Sequence, residues 1–113
     1  MLMQISQREL ASGAVVVAPA GRLILGADSE QIVTLVEELL RHGTHAIIFD
    51  LAGVTSLDST GIGRFIACYK HILAAGGKMR MAGATGHLVD VFRITRLDTV
   101  FPFYATVEEA GKE

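Results

Sequence analysis

The chain has no tryptophan, one cysteine and two prolines among its 113 residues. A single cysteine, Cys68, cannot close an internal disulfide and cannot supply a thiolate metal cluster, so an apolar core must hold the fold unaided. An excess of positive charge is also missing. With 10 Lys+Arg against 12 Asp+Glu, the formal net charge is -2, and no basic face is available to run along phosphate backbones. Long hydrophobic runs are absent as well. The stretch from Ala14 to Ala20 falls far short of the roughly 20 residues that span a bilayer, and Met1-Leu2-Met3-Gln4 lacks a basic segment ahead of an apolar one. These absences predict one domain over residues 1–113, soluble, unprocessed and cytoplasmic, without nucleic acid or membrane insertion among its interactions.

What is present suits that reading, since 50% hydrophobic residues with 19% charged can build a core without external staples. Met3 to Leu10 alternates loosely, as an edge strand does, and Val15-Val16-Val17 is unbroken β-branched sequence, as in a central strand. Ala11-Ser12-Gly13 between them predicts an antiparallel hairpin. Pro19 cannot donate to a ladder, which places it at a bulge or strand end. Asp28 followed by Gln31 resembles a capping box, and Ile32, Leu35, Val36, Leu39 and Leu40 recur at helical spacing until Gly43. His45 to Leu51 is apolar enough for a buried parallel strand. Ala52 to Gly63 reads as a loop running into a second helix, with Ile62, Phe65, Ile66, Tyr69, Ile72 and Leu73 on one stripe up to Gly76-Gly77. A strand over Lys78–Ala82, a helix from Thr85 to about Leu97 with Leu88, Val91 and Phe92 inward, a strand over Val100–Tyr104 and a short helix over Thr106–Gly111 complete the order. The fold class is therefore α/β, a mixed sheet opened by an antiparallel hairpin and covered by amphipathic helices.

The common catalytic arrangements fail on residue type. Leu57 stands where a nucleophile elbow needs glycine, and Ile62 stands where S-x-x-K needs lysine. Asp58-Ser59-Thr60-Gly61 has a faint likeness to an aspartic protease loop, but those proteins are all-β, so a small serine hydrolase is only a remote alternative. Gly61-Ile62-Gly63 is a fragment of a phosphate loop that lacks both its third glycine and its lysine. His42 and His45 flank a turn and read as solvated rather than as a metal pair, and Cys68 reads as small core filling, as do the methionines. No catalytic residue, metal or cofactor is expected.

Ser59 stands apart, because it sits where a loop becomes a helix. Its hydroxyl is expected to cap the helix by accepting from Thr60, Gly61 or Ile62 N–H. The same place tolerates a phosphate, since free N–H groups and the helix dipole face the added oxygens.

Leu57-Asp58-Ser59-Thr60-Gly61-Ile62-Gly63 resembles the signature loop of bacterial anti-sigma factor antagonists, members of the STAS domain family. The resemblance extends over almost the whole chain, through Phe49-Asp50-Leu51 before the loop, Tyr69-Lys70 after it and the Gly76-Gly77 ending. It implies a non-catalytic partner switch in transcription regulation and stress response. Ser59 is the implied phosphoacceptor, and Asp58, Thr60, Gly61 and Gly63 form the implied partner-binding loop. Asp58 is expected to orient Ser59, Thr60 to share hydroxyl contacts, and the two glycines to admit a partner backbone. The implied partners are an anti-sigma factor serine kinase with a histidine-kinase-like ATPase fold, bound only while Ser59 is unphosphorylated, and a serine phosphatase that resets the switch. One departure stands out: Gly21-Arg22-Leu23-Ile24 carries arginine and apolar residues where the family usually places an acid. The same family includes subunits of lipid or anion transport complexes, an alternative in which Ser59 is never modified.

Overall fold

The computed structural model describes residues 3–112; Met1, expected as core or terminal filling, lies outside them. Along the chain run β1 (Gln4–Glu9), β2 (Val15–Leu23), α1 (Ala27–Arg41), β3 (Ala46–Asp50), β4 (Val54–Leu57), α2 (Ser59–Ala74), β5 (Lys78–Ala82), α3 (His87–Ile94), β6 (Phe103–Tyr104) and α4 (Val107–Gly111). The sheet order is β1-β2-β3-β5-β6, antiparallel only between β1 and β2, with β4 paired to the far part of β2. The mixed α/β architecture and the opening hairpin agree with the sequence.

Pro19 lies inside β2, at the place where that strand changes partner. Val15 to Val17 pair with β3, Gly21 to Leu23 pair with β4, and Pro19 falls in the gap. Leu10 N–H donates to Ala14 carbonyl at 2.8 Å, and bonded pairs alternate from there, so Ile5 and Pro19 face each other across a non-bonded pair. The nitrogen of Pro19 therefore points away from β1, into the gap between the β3 and β4 pairings, and its missing N–H costs no ladder bond.

Because side chains alternate faces along a strand, Val15, Val17, Ile47, Phe49, Met79 and Met81 point to the side covered by α1, α2 and α3. Val16, Ile48 and Ala82 point to the other side, which is covered by Val107 and Ala110 of the short α4. The larger core is where α2 is fixed. Phe65 packs edge-on against Phe49 of β3, ring centres 5.1 Å apart, and also meets Phe92 of α3 at 6.2 Å. Each such burial contributes about 1.5–3 kcal/mol, so the position of α2, and with it the loop that starts it, is set by the core.

Several local expectations need correction. Residues 52–63 are not all loop, since Val54–Leu57 form β4. In α1 the cap position is Gly26, with no side-chain cap bond, so the Asp28–Gln31 box does not form; Ser29 instead donates its hydroxyl to Gly26 carbonyl at 3.1 Å. Leu73 is 52% exposed, because the buried stripe of α2 runs through Phe65, Cys68 and Ile72 instead. Helix α3 stops at Ile94, where Thr95 turns its hydroxyl back onto Val91 carbonyl at 2.8 Å and Arg96 adopts a left-handed φ of 61°. The last strand is shortened to Phe103–Tyr104, and the ladder to β5 begins with Met81 N–H donating to Pro102 carbonyl at 2.9 Å.

Candidate functional site

The loop that begins α2 is held from below by strand pairing and from the side by one carboxylate. In the β2–β4 ladder Gly21 faces Val54 but Arg22 faces Ser56, so Thr55 is an extra residue that bulges out. The bulge turns both Val54 and Leu57 inward. At the end of β4, Asp58 N–H donates to Leu23 carbonyl at 3.3 Å. The Asp58 side chain then accepts two backbone bonds, from Gly61 N–H at 2.9 Å and from Leu25 N–H at 3.0 Å. One carboxylate thus caps α2 and ties it to the β2–α1 turn.

Asp58, and not Ser59, is therefore the N-cap. Ser59 is the first residue of the helix, exposed, and its hydroxyl takes part in none of the described hydrogen bonds. Aspartate and serine are both good caps, and the bonds of Asp58 to Leu23 and Leu25 settle the position on it. Ser59→Ala should consequently leave thermal stability within about 0.5 kcal/mol of wild type, as for surface substitutions generally, where a lost cap would cost about 1 kcal/mol. Chemical denaturation of the two chains separates these outcomes.

The two N–H donors hold the Asp58 carboxyl below its ordinary value of 3.8, the Gly61 bond first and the Leu25 bond second. A depressed carboxyl contributes stability above its unfolded pKa and loses it as pH falls through the folded one. The stability difference between wild type and Asp58→Asn should be flat from about pH 5 to 8 and narrow below about pH 4. A carboxyl titration by NMR with its midpoint at or above the ordinary value would contradict the double bond to this group.

The remaining loop residues divide by placement. Thr60 is half-buried, and its hydroxyl enters none of the described hydrogen bonds. Gly61 is buried against the backbone of β2: a Cβ there would fall on the Leu23 carbonyl oxygen and lie 2.6 Å from Leu57 Cδ1. Its smallness is used within the fold. Gly63 is exposed, with nothing within 4 Å of a Cβ placed on it, so its open side faces outward next to Ser59.

Two features here were not read from the sequence. Leu25 is 77% exposed beside the loop although its amide is bound to Asp58. Arg64 donates from Nε to Ser29 Oγ at 3.1 Å, joining the starts of α1 and α2. Only the three-dimensional approach of the two helices creates that bond. Elsewhere, Glu37 of α1 lies 3.4 Å from His71 of α2. Burial pushes the Cys68 thiol up to about 12, with Glu37 adding to the effect, so this sulfur is inert packing. Among the described residues no group of His, Cys, Asp and Glu is arranged to hold a metal, and no helix is long and apolar enough to cross a membrane.

The fold and the loop define a class: an α/β domain that displays an exposed serine on a rigidly capped helix start at one end of a mixed sheet. The chain belongs to the STAS domain family, whose model matches residues 6–110. A candidate anti-sigma factor antagonist of Thermotoga neapolitana is 30% identical over 77 residues, 68% of this chain and 68% of that protein. The crystal structure of a candidate anti-sigma factor antagonist from Thermotoga maritima superposes with a TM-score of 0.86 at 24% identity, over 96% of this chain and 92% of that one. SpoIIAA, an anti-sigma factor antagonist and Bacillus cell fate determinant, superposes in two states. Its unphosphorylated form gives a TM-score of 0.73 at 18% identity, over 96% of this chain and 94% of that one; its phosphorylated form gives 0.74 at 22%, over 96% and 97%.

Proposed function

We propose that this STAS domain is a cytoplasmic anti-sigma factor antagonist that works as a phosphorylation-controlled partner switch. With Ser59 unmodified it binds an anti-sigma factor that is also a serine kinase of the histidine-kinase-like ATPase fold. Phosphate on Ser59 ends that binding, and a serine phosphatase restores it. The observation that carries the reading is the division of labour in the loop: Asp58 does the capping, which leaves the neighbouring Ser59 hydroxyl exposed and free of described bonds. A kinase can reach it without unfolding the helix. The relatives named as anti-sigma factor antagonists support the same reading. So does the near-equal likeness to SpoIIAA in both phosphorylation states, because a switch of this kind must keep its fold when modified.

Capture from the source cell's lysate, with wild type and Ser59→Asp as baits, tests the proposal alongside phosphosite mapping of the endogenous protein. A serine-kinase ATPase retained by wild type and lost by the aspartate variant, with phosphate on Ser59, is the expected result. Recovery of a transporter ATPase and permease by both baits, with Ser59 unmodified, would replace the switch with a transport-complex subunit.

A further inference from the structure

Far from the serine loop, the second face of the sheet is only half covered. Helix α4 lies over Ile48, Ala82 and Val16, and it is five residues long. Toward the starting ends of β3 and β5 a cavity of about 390 Å³ opens over Ala14, Ala46, Lys78 and Arg80, with His45 and Gly111 of α4 beside them. Its floor is made of residues too small to fill it. On β5 the residues that share this face are Lys78, Arg80 and Ala82, so two cations stand two positions apart on one strand and project to the same side.

Arg80 is the unusual member. It is only 9% exposed as a residue, its stem lying against the sheet while its guanidinium nitrogens keep access to solvent. None of the described ion pairs or side-chain hydrogen bonds includes Arg80, and among the described residues no carboxylate borders the cavity. The same two cations border a neighbouring hollow of about 400 Å³ toward Pro102 and Tyr104, again without a carboxylate in its lining. In a chain of net charge -2, this concentration of unneutralised positive charge in a concave place is a local exception.

We propose that this half-covered sheet face binds a small organic phosphomonoester, its phosphate held by Arg80 and Lys78. The planar guanidinium offers a two-pronged donor to a tetrahedral oxyanion, and the ammonium adds a point charge. Two fixed positive charges match the dianion that a phosphomonoester becomes near neutral pH, where its second pKa is about 6. A single carboxylate would leave one of them uncompensated. The volume is within the roughly 300–1,000 Å³ typical of small-molecule cavities, so an organic body can rest on the Ala14 and Ala46 floor. This site lies at the starting ends of the parallel strands, and Ser59 lies beyond the finishing end of β4, so the inference stands apart from the partner switch.

An amide NMR titration of the full chain with phenyl phosphate and with inorganic phosphate tests it, against sodium chloride at matched ionic strength. Saturable shifts at Ala14, Ala46, Lys78 and Arg80 are expected, tighter for phenyl phosphate than for inorganic phosphate. Arg80→Met should weaken binding at least about 10-fold, and Ser59→Ala should not change it. The spectra report folding at the same time; if Arg80→Met does not fold, Lys78→Met carries the comparison and must also weaken binding. Shifts that grow linearly without saturation, equal affinity in the charge-removed variant, or shifts confined to the amides of Ser59 to Gly61 would each overturn the site. Failure here leaves the capture experiment untouched, and failure of the capture experiment leaves this one untouched.

Discussion

Replacing Ser59 by aspartate should lower affinity for the partner kinase by roughly 100- to 1000-fold, with the fold retained. The two halves of this expectation have different causes. In the free protein the new charge sits at the first position of a 16-residue helix whose first turn carries no acidic residue. There the dipole favours an anion by about 0.3–1 kcal/mol, which offsets repulsion from Asp58 next to it. In a complex the same charge has to leave water beside Asp58, whose carboxylate is already committed to Gly61 and Leu25 and has no proton to donate. An uncompensated charge at an interface costs on the order of 3–5 kcal/mol, and the stated loss in affinity corresponds to about 3–4 kcal/mol of it. True phosphoserine, at about -1.5 to -2, should lie at or beyond the upper end. Calorimetric titration of the captured kinase with the two chains gives the ratio directly, and indistinguishable constants would end the switch mechanism.

Gly61→Ala should be the most damaging single-methyl change in the loop, lowering the melting temperature by about 4–12 °C. The added carbon meets a backbone carbonyl, that of Leu23, and not the free end of a flexible side chain. Relief requires α2 to lift away from β2, which also lengthens the Asp58 bonds on either side. Overpacking of this kind costs about 1–3 kcal/mol, and each kcal/mol moves the midpoint of a domain this size by about 4 °C. Gly63→Ala is the matching control, because its Cβ meets nothing. Removing a glycine from an exposed helix position stabilises by about 0.8–1.0 kcal/mol, so Gly63→Ala should melt higher than wild type. If the two variants melt alike, the packing of Gly61 under Leu23 carbonyl is wrong.

The sequence was most informative where one physical signal acted alone. Val15 to Val17 and Ile47 to Phe49 are buried strands because nothing competes with their apolar run, and α2 is helical because its period is long and regular. It was least informative where two signals overlapped. Strand β4 was invisible because the bulge at Thr55 puts Val54 and Leu57 three positions apart on one face, which breaks the period of two by which strands are recognised. Asp58 and Ser59 are adjacent residues with equal capping propensity, and which of them caps is settled by Leu23 and Leu25, more than thirty positions earlier. Arg80 gave no signal, since a lone arginine in a strand looks like an edge residue until its neighbours are known.

The change of partner along β2 has a consequence for how the molecule breathes. A strand that belongs to β3 for its first half and to β4 for its second is a fork, and the serine loop hangs from the shorter tine. Leu23, Val54 and Leu57 of that tine are buried in the same core as the aromatic and β-branched side chains of the trunk, but past Leu57 one carboxylate closes the end. Opening of that end alone, without the buried part of the tine, should exchange the amides of Leu25 and Gly61 while those of β3 and β5 stay protected. The serine loop thus owes its shape to the fold but its lifetime in that shape to a local clasp, so anything that gripped it would stabilise the clasp without reshaping the rest.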